Sequence, residues 1–461
     1  MISERALKNL SDLLGPEHLT VRREDLTTYG TDATKLCFMP DAVAFPGTRE
    51  EISRIFQLAN QERFPVIPRG AGSGKSGGAL PVEGGLILAM DRFNRILEID
   101  QHNLIARVEC GVITAAFQEA VEKVGLFYPP DPASIHISTL GGNVAECAGG
   151  LRAVKYGVTR DYVLGLAAVL PTGEIIRTGV ETVKGVVGYD LTRLLIGSEG
   201  TLAVVTDIIV RLIPKPSYRK TMMAFFETAS ATVETVSEII RSKIVPTALE
   251  FMDRTCIDCV DKDVGLSAPR GTGALLLIEV DGDKGLAGKE AKRVEEICAL
   301  QGALEFRSAS RRKEGEKLWE ARRNVSESVY KLRPDKISED IVVPRSRMAD
   351  FMGFLEDLSR THDLPMAAYG HAGDGNIHVN ILFDGKIPGQ LERAQAAVRE
   401  LFTKVIEMRG TLSGEHGVGI TKAPFIEMEL SRPVLELMVR LKKAFDPNGV
   451  LNPGKIFPYK I

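Results

Sequence analysis

The chain has 461 residues, enough for two or three domains with full cores. Its composition, 44% hydrophobic and 26% charged with a formal net charge of −3, is that of an ordinary globular protein and points away from nucleic acid or an anionic membrane surface as partner. No apolar run approaches the ~20 residues that span a bilayer, and the N-terminus lacks the apolar core of a signal peptide, so a cytoplasmic location is expected. Six Cys are scattered along the chain; only Cys256 and Cys259 have metal or redox spacing, and one such pair reads better as two half-buried thiols on a helix. No Cys spacing suits an iron–sulfur cluster.

In chain order, 41–46 reads as a strand, and Thr48 with Glu51 forms a capping box that opens a helix to about Asn60. A second strand, 64–68, delivers the loop Arg69-Gly70-Ala71-Gly72-Ser73-Gly74-Lys75-Ser76-Gly77-Gly78. Gly74-Lys75-Ser76 resembles the end of a Walker loop, but Arg69 stands where that motif needs glycine. Gly72, Gly74 and Gly77 satisfy G-x-G-x-x-G, yet both motifs need a helix next, and Pro81, Gly84 and Gly85 argue against one. The remaining reading is a nest of backbone N–H groups that wraps a pyrophosphate without a helix. Strands follow at 96–100 and 104–110, then a helix capped by Thr114 that stops at Gly125. Ser138, Thr139, Gly141, Gly142 and Asn143 precede a short helical stretch, a second place for backbone donors to meet an anion. Strands at 163–170, 175–178 and 207–213 complete this half, and Pro214-Lys215-Pro216 is a boundary.

Beyond Ser217 the pattern changes to strand–helix–strand units: 220–226, a helix to Lys243, 248–251; then 273–280, 289–301, 303–308. A strand at 337–343 leads into a helix around 347–361, and a helix at 390–409 leads to 411–415. Such repetition builds an antiparallel sheet backed by helices.

Between the last two helices lies Tyr369-Gly370-His371-Ala372-Gly373-Asp374-Gly375-Asn376-Ile377-His378-Val379-Asn380. Asp374-Gly375 is a strong two-residue hairpin signal. Folding there sets His371 opposite His378 and Tyr369 opposite Asn380, close enough for two imidazoles to share an ion. Alternation puts His378 and Asn380 on one face. Glu415 and His416 follow, side by side between glycines. The chain holds seven His, and three of them fall among these glycines. His371, His378 and Glu415 with an open position form a catalytic rather than structural metal pattern, and His416 is left to act as a base. Zinc is the default ion; these ligands also admit manganese, cobalt or iron.

Pro68, the glycine loop, Gly141-Gly142-Asn143, Gly149-Gly150, Tyr156-Gly157-Val158 and Gly197-Ser198-Glu199-Gly200-Thr201-Leu202 together resemble the flavin-binding domain of the vanillyl-alcohol-oxidase superfamily. With the His371 hairpin, Gly414–Gly419 and the 445–455 segment, the chain is similar, from about residue 20 to its end, to the branch that holds glycolate oxidase, D-lactate dehydrogenase and D-2-hydroxyglutarate dehydrogenase. The resemblance implies an α+β fold: a two-subdomain PCMH-type FAD-binding domain (1–216), a ferredoxin-like cap with a large antiparallel sheet and helices on one face (217–424), and a C-terminal segment (425–461) that returns to the FAD domain. It implies non-covalent FAD held by Arg69, Gly70, Ala71, Gly72, Ser73, Gly74, Ser76, Gly77, Pro132, Gly141, Gly142, Asn143, Gly149, Gly157, Glu199, Gly200, Val204 and Asn452.

In relatives an arginine matching Arg322 grips the substrate carboxylate, a task that suits a guanidinium fork; helix phase alone does not choose between Arg322 and Arg323. Lys336 is a second candidate, and Asn380 helps to orient the substrate. The expected reaction is oxidation of a small D-2-hydroxy acid, D-lactate or glycolate, with D-2-hydroxyglutarate as the alternative. Electrons would pass to a protein or quinone acceptor, such as an iron–sulfur protein or an electron-transfer flavoprotein, at the inner face of the membrane through that partner; a homodimer stays open. Two rivals are a metal-dependent hydrolase, which leaves the glycine loop unexplained, and a flavoprotein that only relays electrons within a complex, which would not need Arg322, Asn380 and His416 around an ion.

Overall fold

The computed structural model describes residues 1–460. It divides into two compact units, one made of Met1–Gly149, Val158–Lys215 and Glu415–Ile461, the other of Gly150–Gly157 and Pro216–Gly414. The chain therefore re-enters the first unit at Glu415, earlier than the 425 expected from sequence, and lends the octapeptide Gly150–Gly157 to the second.

The first unit holds two sheets. In one, Ala42–Ala44, Leu86–Ala89 and Val66–Arg69 run parallel, with Leu19–Thr20 antiparallel at the edge. The helix Arg49–Glu62 makes the crossover from Ala42–Ala44 to the parallel strand Val66–Arg69, on the far side of Leu86–Ala89. Its Ile52, Ile55, Phe56 and Ala59 recur at helical spacing and are buried. Thr48 accepts from the Glu51 N–H, and the Glu51 carboxylate reaches back to Gly47 at 2.6 Å. No helix follows Arg69: residues 70–78 run as bends and turns. The C-terminal segment pairs beside the Val66 strand, where Val66 N–H donates to Val450 O (2.8 Å) and Asn452 N–H to Val66 O (2.9 Å). The second sheet is antiparallel, in the order Ile96–Asp100, Ile105–Glu109, Val204–Arg211, Val163–Val169, Ile175–Gly179. Thr114 is not the cap of its helix, since Ile113 takes that position. The Thr114 hydroxyl instead donates to Ser138 O and accepts from the Asn143 amide, a tertiary use that outcompetes local capping.

The second unit is built on seven antiparallel strands ordered Glu305–Ser308, Tyr218–Phe226, Ala274–Gly282, Ala248–Asp253, Met366–His371, Asn376–Phe383, Asp335–Val342. The helices Ala229–Arg241, Lys284–Leu300, Met348–His362 and Gln390–Glu407 pack in a row along it. Strand alternation sends Met223, Phe225, Met252, Leu275, Leu277 and Tyr369 the other way, where Arg254–Val264 and Arg312–Ser328 cover them. That second face carries the candidate site.

The hairpin departs from the expected register. Tyr369, not His371, faces His378, and Ala367 faces Asn380, because residues 372–375 form a longer connection than a two-residue turn. The cause is tertiary. Gly375, at φ +87°, lies against the neighbouring strand, with a Cβ site only 2.1 Å from Val343 O, and the Asp374 and Gly375 N–H groups fold back onto His371 O. A slip of two positions preserves which face each side chain takes, whereas a slip of one would have reversed it. His371, Tyr369, His378 and Asn380 accordingly still share a face.

Candidate functional site

In the second unit His371 and His378 sit with ring centroids 5.4 Å apart at 86°, each only 6% exposed. The strand register sets Glu250 beside His371, and a Glu250 carboxylate oxygen lies 2.6 Å from His371 Nδ1. A carboxylate at that distance holds the proton on Nδ1 and makes Nε2 the lone-pair nitrogen, the arrangement metal-binding histidines use to fix their tautomer. The other oxygen of Glu250, which is fully buried, accepts from Arg322 Nε at 2.6 Å. Arg322 also stacks over the Tyr369 ring at 4.7 Å. A buried carboxylate with no partner would cost several kcal/mol, and the Arg322 pair offsets that. Of the two arginines, then, Arg322 turns inward, while Arg323 is exposed and donates to Glu316 O.

Asn380 is buried next along its strand; its amide donates to Ala367 O, and its Oδ1 has no partner among the described residues. Lys336 is tied to Ser326, donating to its carbonyl (2.7 Å) and hydroxyl (3.2 Å), and lies over the Tyr330 ring. Asp340, paired in register with His378, accepts from the Gly414 N–H at 3.0 Å and the Ser413 hydroxyl at 3.3 Å. A side chain at Gly414 would meet the Asn376 amide at 2.3 Å. The residue before Glu415 is thus clamped to this hairpin.

In the first unit the glycine loop closes over its own leading residue. Gly72, at φ +66°, has a Cβ site 2.1 Å from the Arg69 guanidinium, which is folded beneath it. Arg69 is buried over Tyr29, and burial pulls its pKa down while pushing the Asp32 and Asp91 carboxyls up. Gly70 and Gly77, the latter at φ +78°, are equally crowded, by Thr139 and Ile420; Ala71 is exposed, and Ser73 and Gly74 lie between the bends at 70–72 and 75–77. Arg69 Nη1, Ser76 Oγ and Asn452 Oδ1 are buried without a partner among the described residues. Orphaned donors and an acceptor around a glycine-rich loop suit a ligand with phosphates and a polar ring, so the residues present fit FAD. Asn452 donates from its amide to Gly78 O and Glu199 O, which fixes it at this loop.

Other residues expected at the cofactor have the following protein contacts. Gly141 and Gly200 allow close approach to Cys110 and Pro68, Val204 pairs with Val169 in the sheet, and the Asn143 amide turns to Thr114. Gly142 donates to the Thr139 cap, Pro132 O accepts from Ile135, and Gly157 belongs to the octapeptide of the second unit. Gly149 has its Cβ site 3.2 Å from Glu415, within the first unit. The Glu199 carboxylate accepts from the Val418 (2.9 Å) and Gly419 (2.6 Å) N–H groups. Burial pushes Glu199 up, against the pull of those amides and of Lys422 and Lys455. Sequence reasoning missed Glu250 and Asp340. A signal was available for Glu250, an acid inside the otherwise apolar run 248–252, but not for Asp340, which stands beside Glu339 in a strand that also holds Asp335 and Lys336.

Comparison with known proteins accords with this layout. Residues 40–179 match an FAD binding domain, and residues 215–456 match the C-terminal domain of FAD linked oxidases. The chain is 45% identical over 458 residues to glycolate oxidase subunit GlcD of Bacillus subtilis (strain 168), covering 99% of this chain and 97% of that one. It is 34% identical over 425 residues to D-lactate dehydrogenase of Anaerostipes hadrus, covering 90% and 89%. A solved structure of p-cresol methylhydroxylase superposes with a TM-score of 0.82 at 18% identity, over 99% of this chain and 97% of the other, a likeness of fold.

Proposed function

Because this chain belongs to the family of FAD-linked oxidases, we propose that it oxidises a small 2-hydroxy acid, D-lactate or glycolate, to the 2-oxo acid. The observation that carries this reading is the Glu250–His371 pair beside His378. An imidazole with its tautomer set by a buried carboxylate is equipped to hold an ion, and a chain that only relayed electrons would not need it.

Oxidising a hydroxy acid removes a proton from oxygen and a hydride from carbon. Bound FAD supplies the two-electron acceptor for the hydride. A divalent ion held by His371 and His378, zinc by default, would supply a Lewis acid for the hydroxyl. Support for Glu415 comes from its neighbour, since Asp340 clamps Gly414 to the strand that pairs with the one bearing His378. His416 accepts the hydroxyl proton. Arg322, whose Nε donates to Glu250, is the guanidinium that would grip the substrate carboxylate, and Asn380 orients the hydroxyl from its neighbouring place on the face. Lys336, held by Ser326, supports the Arg322 helix rather than the substrate. Electrons then leave to a partner protein, in keeping with the subunit naming of the Bacillus relative.

The test is product analysis with an artificial electron acceptor. Pyruvate from D-lactate or glyoxylate from glycolate, formed one for one with acceptor reduced and abolished in His371→Asn, supports the reading. Turnover in that variant equal to that of the parent refutes the ion's role.

A further inference from the structure

We propose that Glu199 is a positioning residue for the Glu415–His416 loop and not a ligand of the flavin. The inference rests on the reading of that loop as the one that carries the base. Glu199 sits in a glycine-flanked turn at φ +52°, between Gly197 and Gly200, also at positive φ. This backbone places a 7% exposed carboxylate under the turn that follows His416. Both its oxygens are used there, one by the Val418 N–H at 2.9 Å and one by the Gly419 N–H at 2.6 Å. Gly417, at φ +79°, has its Cβ site nearest to Glu146 Oε2 and 3.0 Å from the Glu199 carboxyl carbon, so the turn is packed onto both carboxylates.

The other side of the same turn is held by the glycine loop. Ser76 O accepts from the Ile420 and Thr421 N–H groups, Ile456 N–H donates to Gly419 O, and a Cβ at Gly419 would meet Ser76 O at 2.1 Å. His416 and Glu415 therefore extend from a turn gripped by Glu199, Ser76 and Ile456, of which Glu199 brings a charge and the other two bring backbone groups. Two amides on one carboxylate are charge-assisted bonds, about twice as strong as neutral ones. Removing the charge should loosen the turn and scatter the side chains ahead of it. Flavin binding should survive, because neither oxygen of Glu199 is directed to the glycine loop.

The experiment is Glu199→Gln in the FAD-loaded enzyme. Glutamine keeps one acceptor but turns an amide donor toward the other N–H, a donor facing a donor. We expect unchanged flavin per chain by absorbance, at least tenfold faster hydrogen exchange at Val418 and Gly419 with the 70–78 peptide unaltered, and a kcat reduced more than tenfold at nearly constant KM. Flavin loss with exchange at 418–419 unchanged would overturn the proposal, as would no change in either. Should Glu199→Gln fail to fold, Glu199→Asp withdraws the carboxylate from the same turn by one methylene and must give the same exchange signature with flavin retained; its absence also overturns the proposal. The exchange result is independent of whether His416 is the base. That reading fails separately, if His416→Ala reduces flavin at the parent rate.

Discussion

The Glu250 carboxylate lies 2.6 Å from Nδ1 of His371, although 121 residues separate the two along the chain. Its second oxygen is held by Arg322 at the same distance, so one buried acid joins an imidazole to a guanidinium. If the imidazole is a metal ligand, this acid sets its tautomer. Glu250→Gln should then weaken zinc binding by about 10–100-fold, the usual effect of losing such a partner. Zinc titration of the chelator-stripped protein measures it, with flavin content unchanged; parent affinity in the variant would contradict the assignment.

The two adjacent arginines should differ sharply. Arg322→Met strips the buried Glu250 of its guanidinium partner and leaves it only the His371 N–H, at a cost of about 3–5 kcal/mol. Arg323→Met, at an exposed position, should stay within about 0.5 kcal/mol of the parent. Denaturant unfolding of the two variants side by side decides this.

Gly375 bears the hairpin connection. At φ +87°, with its Cβ site 2.1 Å from Val343 O, Gly375→Ala combines a strained backbone with a clash against a fixed carbonyl. A loss of about 2 kcal/mol or more is expected, together with lower ion occupancy as His371 shifts against His378. Metal analysis beside thermal melting would separate the two effects.

Lys455 is buried, with its ammonium donating to Leu80 O, and burial lowers its pKa to about 8. The unfolded chain holds that proton up to about 10.5, so between the two values the unfolded state binds more protons and stability rises with pH. Below pH 8 the buried charge is present and this gain is absent. Between pH 7.5 and 9.5 the parent should gain about 2 kcal/mol relative to Lys455→Met. Melting curves of both proteins at the two pH values read it out, and parallel pH profiles would contradict it.

The sequence showed what is local. Helical spacing at Ile52, Ile55, Phe56 and Ala59, the cap at Thr48 and the absence of a helix after Arg69 were all legible in neighbouring residues. So was the shared face of His371 and His378, because alternation survives a slip of two. The register itself was not legible, since Asp374-Gly375 competes with a neighbouring strand that sequence does not place. Thr114 fails as a cap for the same reason, its hydroxyl being taken by Ser138 and Asn143. Glu250, Asp340 and the true partners of Glu199 are set by strand order and by long-range bonds, which no window of sequence contains.

The most direct measurement is anaerobic mixing of the FAD-loaded protein with D-lactate or glycolate while the oxidised flavin band is followed. Rapid bleaching with one of these acids, lost on chelation and restored by zinc, manganese, cobalt or iron, is the predicted result. A flavin that stays oxidised with every 2-hydroxy acid, or that bleaches equally well after the ion is stripped, would contradict the account.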